Sequence, residues 1–115
     1  MVAHTGNDQE GLLRITEAGV RESFAQDLSA SEKDVVFAVQ SPTAGAALGG
    51  NITKPAWKSK PSWYLVATSD RAIQPNLERA MAKKIKATTI EMKSSHLPML
   101  SLPEETARLI IDAAA

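Results

Sequence analysis

The sequence predicts an α/β protein in which strand, helix, strand and helix follow an N-terminal helical segment. Three observations lead there. Trp63-Tyr64-Leu65-Val66-Ala67-Thr68 carries a continuous apolar run, the mark of a parallel strand covered on both faces. Ala87-Thr88-Thr89-Ile90-Glu91-Met92 reads as a second strand, and the amphipathic stretch between the two makes a βαβ unit, expected to be parallel and right-handed. Upstream, Val20, Phe24 and Leu28 recur at helical spacing.

From the N-terminus, Met1 to Leu13 mixes Gly, Asn, Asp and Gln with few large apolar side chains, and His4 has no second ligand nearby, so a frayed end is expected. Thr16 can cap the first helix, with Glu17 favourable in its first turn. Ser29-Ala30-Ser31-Glu32 has the form of a capping box and starts a second helix, predicted to bury Val35, Val36 and Val39 and to stop before Pro42. The three valines and Phe37 would also suit a strand, but the cap favours a helix. Thr43 to Gly50 is rich in small residues and reads as a short helix closed by glycine. A phosphate-cradling loop would need a following Lys-Ser/Thr and a preceding strand, and both are missing.

Pro55, Trp57 and Pro61 punctuate an extended connector into the first strand. Pro75 sits well in the first turn of the crossover helix, where its missing donor has no partner to lose, and Leu77, Met81 and Ile85 form the predicted buried stripe. Lys83, Lys84 and Lys86 gather where cations complement the helix dipole; a nucleic-acid patch is the alternative reading of the same lysines. Ser101-Leu102-Pro103-Glu104 opens a last helix, with Ala107, Ile110 and Ile111 expected against the sheet.

Composition narrows the function classes. A chain of 115 residues, 43% apolar and 23% charged, suits one small domain. Thirteen basic and thirteen acidic side chains cancel, so no long-range field favours nucleic acid or an anionic membrane, and neither is expected as a partner. There is no cysteine, hence no disulfide and no thiolate metal site, and no apolar stretch long enough for a signal peptide or a membrane span; a cytoplasmic setting is expected. Asn51-Ile52-Thr53 matches a glycosylation acceptor, a coincidence in the absence of a secretory signal. His4, His96 and the scattered carboxylates show no ligand spacing such as H-E-x-x-H, so no metal is expected.

Asp70 and His96 each follow a predicted strand. Parallel strands end on one rim, where ligands bind in open α/β sheets, so the two are expected to meet there. A carboxylate beside an imidazole fixes its tautomer and stabilises its charged form, which is what a general base requires.

The stretch Pro61-Ser62-Trp63-Tyr64-Leu65-Val66-Ala67-Thr68-Ser69-Asp70-Arg71-Ala72-Ile73-Gln74-Pro75, followed by Ser95-His96 and Pro103-Glu104, resembles the C-terminal end of the α/β-hydrolase fold family. There the catalytic acid follows a late strand in a D-x-x-x-P type turn, and the catalytic histidine follows the last strand. The closest likeness is to small esterase-like members with a helical cap. Carried over by position, Asp70 is similar to the triad acid and His96 to the triad histidine, while Thr16 to Leu48 resembles part of the cap. Gln74 stands where proline is common, and Leu97-Pro98 where small residues are frequent.

The family's nucleophile sits in a G-x-S-x-G elbow. This chain has none: Gly45 and Gly49-Gly50 flank no serine at that spacing, and Ser41 precedes Pro42, which has no N–H to offer an oxyanion. The resemblance therefore implies a C-terminal βαβα portion of an α/β-hydrolase sheet preceded by a helical cap segment, with residues 1–53 as tail and cap and 54–115 as the portion carrying acid and histidine. The implied function is that of an esterase-type serine hydrolase present as a truncated portion and inactive alone. It would act on a small ester or acyl substrate once completed, without a cofactor, and a homodimer or a complementing chain is expected. The alternative is a non-catalytic α/β interaction or structural protein in which Asp70 caps the following helix and His96 is a hydrogen-bonded loop residue.

Overall fold

The computed structural model describes residues 5–7 and 11–115. His4 lies outside them. Strand β1 (Thr5–Asn7) falls within the stretch expected to be frayed and β2 (Leu12–Ile15) begins in it; the two pair antiparallel, with Thr5 opposite Ile15 and Asn7 opposite Leu13. A third short strand, β3 (Thr43–Ala44), pairs with β2 on its other side, giving the order β1-β2-β3. Gly11 leads into β2 at φ +72°, a left-handed conformation that costs glycine least. Sequence reading passed over this sheet because its strands are shorter than any periodicity can mark.

Helix α1 (Glu17–Gly19) begins as expected, with the Thr16 hydroxyl accepting the Gly19 N–H at 3.0 Å. It widens at once into a π-helical turn, Val20–Phe24, and ends there. Leu28 is therefore not helical, yet Val20, Ala25 and Leu28 still form a buried cluster, with Ile15, Val36 and Leu97 packed against it. Helix α2 (Ala30–Val39) carries the full capping box: Ser29 N–H donates to Glu32 Oε2 at 2.9 Å, and Glu32 N–H donates to Ser29 Oγ at 3.3 Å.

The predicted inner face of α2 is corrected. Val35 and Val39 are 59% and 71% exposed, and only Val36 of the three packs inward. The half-buried line is Lys33, Val36 and Gln40, because the Gln40 amide completes β2: Ile15 N–H donates to its Oε1 at 2.8 Å, and its Nε2 donates to Ile15 O at 2.9 Å. Thr43 to Gly50 holds β3 and a 3₁₀ helix, Gly45–Gly49, in place of one short helix, and the connector before the first parallel strand contains a second 3₁₀ turn, Ala56–Lys58.

Strand β4 (Trp63–Ala67) and strand β5 (Thr88–Met92) are parallel, Trp63 opposite Thr88 and Ala67 opposite Met92, joined through helix α3 (Pro75–Lys84). The apolar run in β4 is buried at its C-terminal end, at Val66 and Ala67, while Trp63 is exposed. In α3 the inner face begins one residue later than predicted. Glu78 and Ala82 are buried, Met81 and Ile85 half-buried, and Leu77 is 54% exposed, so the frame is set by a carboxylic side chain that hydropathy assigns to solvent. The helix ends in a Schellman motif, with Ala87 N–H donating to Ala82 O at 3.0 Å and Lys86 N–H to Lys83 O at 3.1 Å. Lys86 occupies the left-handed position at φ +54°, where glycine is usual.

A short helix, α4 (Pro98–Ser101), precedes helix α5 (Pro103–Ala114). The expected face of α5 is also corrected: Ala107, Ile110 and Ile111 are exposed, and Thr106, Leu109 and Ala113 form the half-buried line, with Leu109 near Ile90 and Met92 of β5. Among the described residues no helix is long and apolar enough to cross a membrane.

Candidate functional site

The ends of β4 and β5 build the site. Pairing continues one step past each strand, Thr68 N–H donating to Met92 O at 2.8 Å and Ser69 N–H to Ser94 O at 3.1 Å, so the two following loops leave the sheet side by side. Asp70 then turns the first loop into α3. Its Oδ1 accepts the N–H groups of Ala72 at 2.7 Å and Ile73 at 3.0 Å, the pattern of an Asx turn. Its Oδ2 lies 2.6 Å from His96 Nδ1.

The two residues predicted to meet are thus brought together. With both Asp70 oxygens accepting, the proton between the side chains sits on Nδ1, and the far ring nitrogen, Nε2, is left to act as a base. The Asp70 side chain is 2% exposed and that of His96 30%, so the acid is sealed in and the imidazole is reachable. Burial works to raise the Asp70 pKa, but the Ile73 N–H, the neighbouring Glu78 carboxyl and the imidazole outweigh it and hold the group below the ordinary aspartate range. The Phe24 ring stands against the imidazole with centroids 4.8 Å apart.

The N-terminal segment grips both loops. Gln26 Nε2 donates to Ser69 O at 2.6 Å, the Asp27 Oδ2 accepts the Ser95 N–H at 2.8 Å, and Arg71 donates to Glu22 O at 3.1 Å. Burial pushes Asp27 upward, but hydrogen bonds from Ser95 and Ser101 more than offset it, and its pKa is lowered. None of these partners is marked in the sequence, since each acts across more than forty residues.

An open cleft of about 260 Å³ lies beside β4, lined by Trp63, Tyr64, Leu65, Ala67, Asp70, Glu78, His96, Pro98 and Met99. Glu78 is the residue here that sequence reading missed. It had no signal beyond its place one turn into α3, where an acidic side chain ordinarily complements the helix dipole. Among the described residues, no serine or threonine hydroxyl hydrogen-bonds to His96, and no three His, Asp or Glu side chains gather to hold a metal ion.

A strand, an acid in a tight turn, a crossover helix, a second strand and a histidine on the acid make up this end of the sheet. A family model described as the Alpha/beta hydrolase family matches residues 3–109, and the chain belongs to that family. Among solved structures it is similar to polyneuridine aldehyde esterase, with a TM-score of 0.77 at 16% sequence identity. A mutant of that esterase with a histidine replaced by alanine aligns equally well, with a TM-score of 0.77 at 15% identity. Both alignments cover 97% of this chain and 48% of the esterase, so the chain spans about half the length of these structural relatives. No curated protein sequence matches it.

Proposed function

We propose that this chain supplies the acid and the base of a serine-type acyl hydrolase, with His96 as general base and Asp70 as the group that orients it. The observation that carries the reading is the 2.6 Å contact between Asp70 Oδ2 and His96 Nδ1 at adjacent strand ends, with Nε2 unpaired among the described residues and beside the cleft. The substrate is a small ester or related acyl compound. His96 Nε2 takes the proton of an attacking hydroxyl as it adds to the acyl carbon, then returns it to the leaving alcohol, and a water molecule repeats the cycle on the acyl-enzyme. Asp70 stays ionised throughout and stabilises the imidazolium.

No G-x-S-x-G elbow occurs in the sequence, so in this reading the attacking hydroxyl and the oxyanion donors come from other polypeptide, whether continuous with this chain, a second copy or a separate protein. Residues 16–48 serve as part of a cap, residues 54–115 as the acid–base portion, and the setting is cytoplasmic. The described chain by itself is expected to be nearly inert toward ordinary esters, since nucleophile and oxyanion hole supply most of the rate enhancement of such sites.

Two measurements on the purified chain test this. p-Nitrophenyl acetate is activated enough for an imidazole to attack it directly, so the wild type should release nitrophenol several-fold faster than His96→Ala, with His4 present in both. A fluorophosphonate should add to no serine. Equal rates in wild type and His96→Ala would overturn the assignment of the base, and a serine adduct lost in His96→Ala would show that a nucleophile lies within this chain.

A further inference from the structure

We propose that Glu78 is a positioning residue of the acid–base pair: its carboxyl is neutral, accepting the Ala67 N–H through Oε2 and donating a proton from Oε1 to the Asp70 carboxylate. This deepens the hydrolase reading and rests on it for the word positioning, while the shared proton is argued from the burial and hydrogen bonding of Glu78 itself.

Glu78 is 4% exposed, and its Oε2 accepts the Ala67 N–H at 2.9 Å. Successive residues of a strand point their N–H groups to opposite sides. Thr68 N–H goes to Met92 O in β5, so Ala67 N–H faces away from β5, toward the edge of β4 that pairs with no strand among the described residues. Glu78 does there what a neighbouring strand would do, and so fixes the last residue of β4 three positions before Asp70.

The other oxygen is the informative one. Oε1 is buried and has no hydrogen-bond partner among the described residues. An ionised carboxylate would leave that oxygen charged and unsatisfied beside a second carboxylate, an arrangement that is costly and avoided. Asp70 is already committed to the ionised state by two N–H groups and an imidazole. A proton on Oε1, shared with the neighbouring Asp70, resolves both difficulties, since a carboxylic acid beside a carboxylate makes one strong hydrogen bond where two carboxylates repel.

The remaining groups around Glu78 agree. Burial, followed by the neighbouring Asp70 carboxylate, pushes its pKa up to about 7. Tyr64 on β4 is pushed upward by burial and by the Glu78 and Asp70 charges, so it stays a neutral phenol. Arg79, the adjacent cation on α3, favours ionisation of Glu78 but is drawn away to Glu91 of β5, at 2.7 and 2.9 Å. His96 faces Asp70 from the opposite side.

The test is carboxyl-carbon NMR on the whole chain labelled with ¹³C-carboxyl Glu and Asp, titrated from acid to alkaline pH. In the wild type the Glu78 Cδ should change shift near pH 7, apart from the other glutamates, while Asp70 Cγ titrates below the ordinary aspartate range. Glu78→Gln keeps an acceptor for Ala67 and a donor for Asp70, so it should leave Asp70 low; Glu78→Leu removes the donor and should move Asp70 upward. Glu78 titrating with the surface glutamates would overturn the proposal, and so would an Asp70 titration that is the same in all three proteins. The wild-type titration decides even if the leucine variant fails to fold. Failure of nitrophenyl ester hydrolysis would count against the acyl-transfer reading and leave these carbon shifts as they are.

Discussion

Asp27 holds the loop that carries His96: its Oδ2 accepts the N–H of Ser95, the residue immediately before the histidine, across 68 positions of sequence. Ser95 is fully buried, so its N–H has no water to fall back on. Asp27→Ala should therefore cost about 1–3 kcal/mol, the price of an unsatisfied buried donor, whereas Asp27→Asn, which keeps an acceptor, should cost less. Urea unfolding at neutral pH measures both. Because the folded pKa of Asp27 lies below its ordinary value of 3.8, its contribution is present above that value and fades as the pH falls through the folded one. The gap between wild type and Asp27→Ala should accordingly narrow in strong acid.

Glu78 has the opposite linkage. Its folded carboxyl ionises near 7 and the ordinary carboxyl near 4.5, so the unfolded chain releases the proton first and wild-type stability falls as the pH climbs between them. Glu78→Gln cannot ionise. Its stability relative to wild type should improve by roughly 2 kcal/mol from pH 5 to pH 8. Paired urea titrations at the two pH values check the sign, and a constant difference would contradict it.

Asp70→Asn should preserve the turn into α3, because an amide oxygen can still accept the Ala72 and Ile73 N–H groups. What it should change is the imidazole. With an amide N–H₂ facing Nδ1, the ring proton is expected to move to Nε2, leaving the wrong nitrogen free. Long-range ¹H–¹⁵N spectra distinguish the two tautomers, and His96-dependent release of nitrophenol should drop with the change.

Lys86 sits at φ +54° in the Schellman motif that ends α3. A side chain there costs on the order of 1 kcal/mol relative to glycine. Lys86→Gly should raise stability by about that amount in thermal unfolding, with no effect at the site.

What the sequence made legible follows the range of the interactions involved. The strands β4 and β5, the Pro75 start of α3 and the Ser29–Glu32 box rest on neighbours within a few residues, and each was readable from local pattern. Asp70 and His96 were readable because parallel strands carry their following residues to one rim. The helix faces were not. In α2, Val35 and Val39 outrank Gln40 in hydropathy, yet Gln40 takes the inner position because β2 needs its amide. In α3, Leu77 loses to Glu78 for the same kind of reason, a backbone N–H at a strand edge. Ile110 and Ile111 stay exposed in α5 while Thr106 and Leu109 turn inward. Hydropathy ranks side chains one at a time; it carries no information about which distant backbone group lacks a partner.

Gln26 and Asp27 are consecutive, and one holds the loop after β4 while the other holds the loop after β5. Adjacent Cα atoms are held about 3.8 Å apart by a trans peptide, about an ångström less than the roughly 4.8 Å between paired strands, a gap the two side chains span. The pair works as a caliper whose jaws are set by covalent geometry: a single residue inserted between 26 and 27 would spread the jaws and draw acid and imidazole apart while leaving every atom of Asp70 and His96 in place in the sequence.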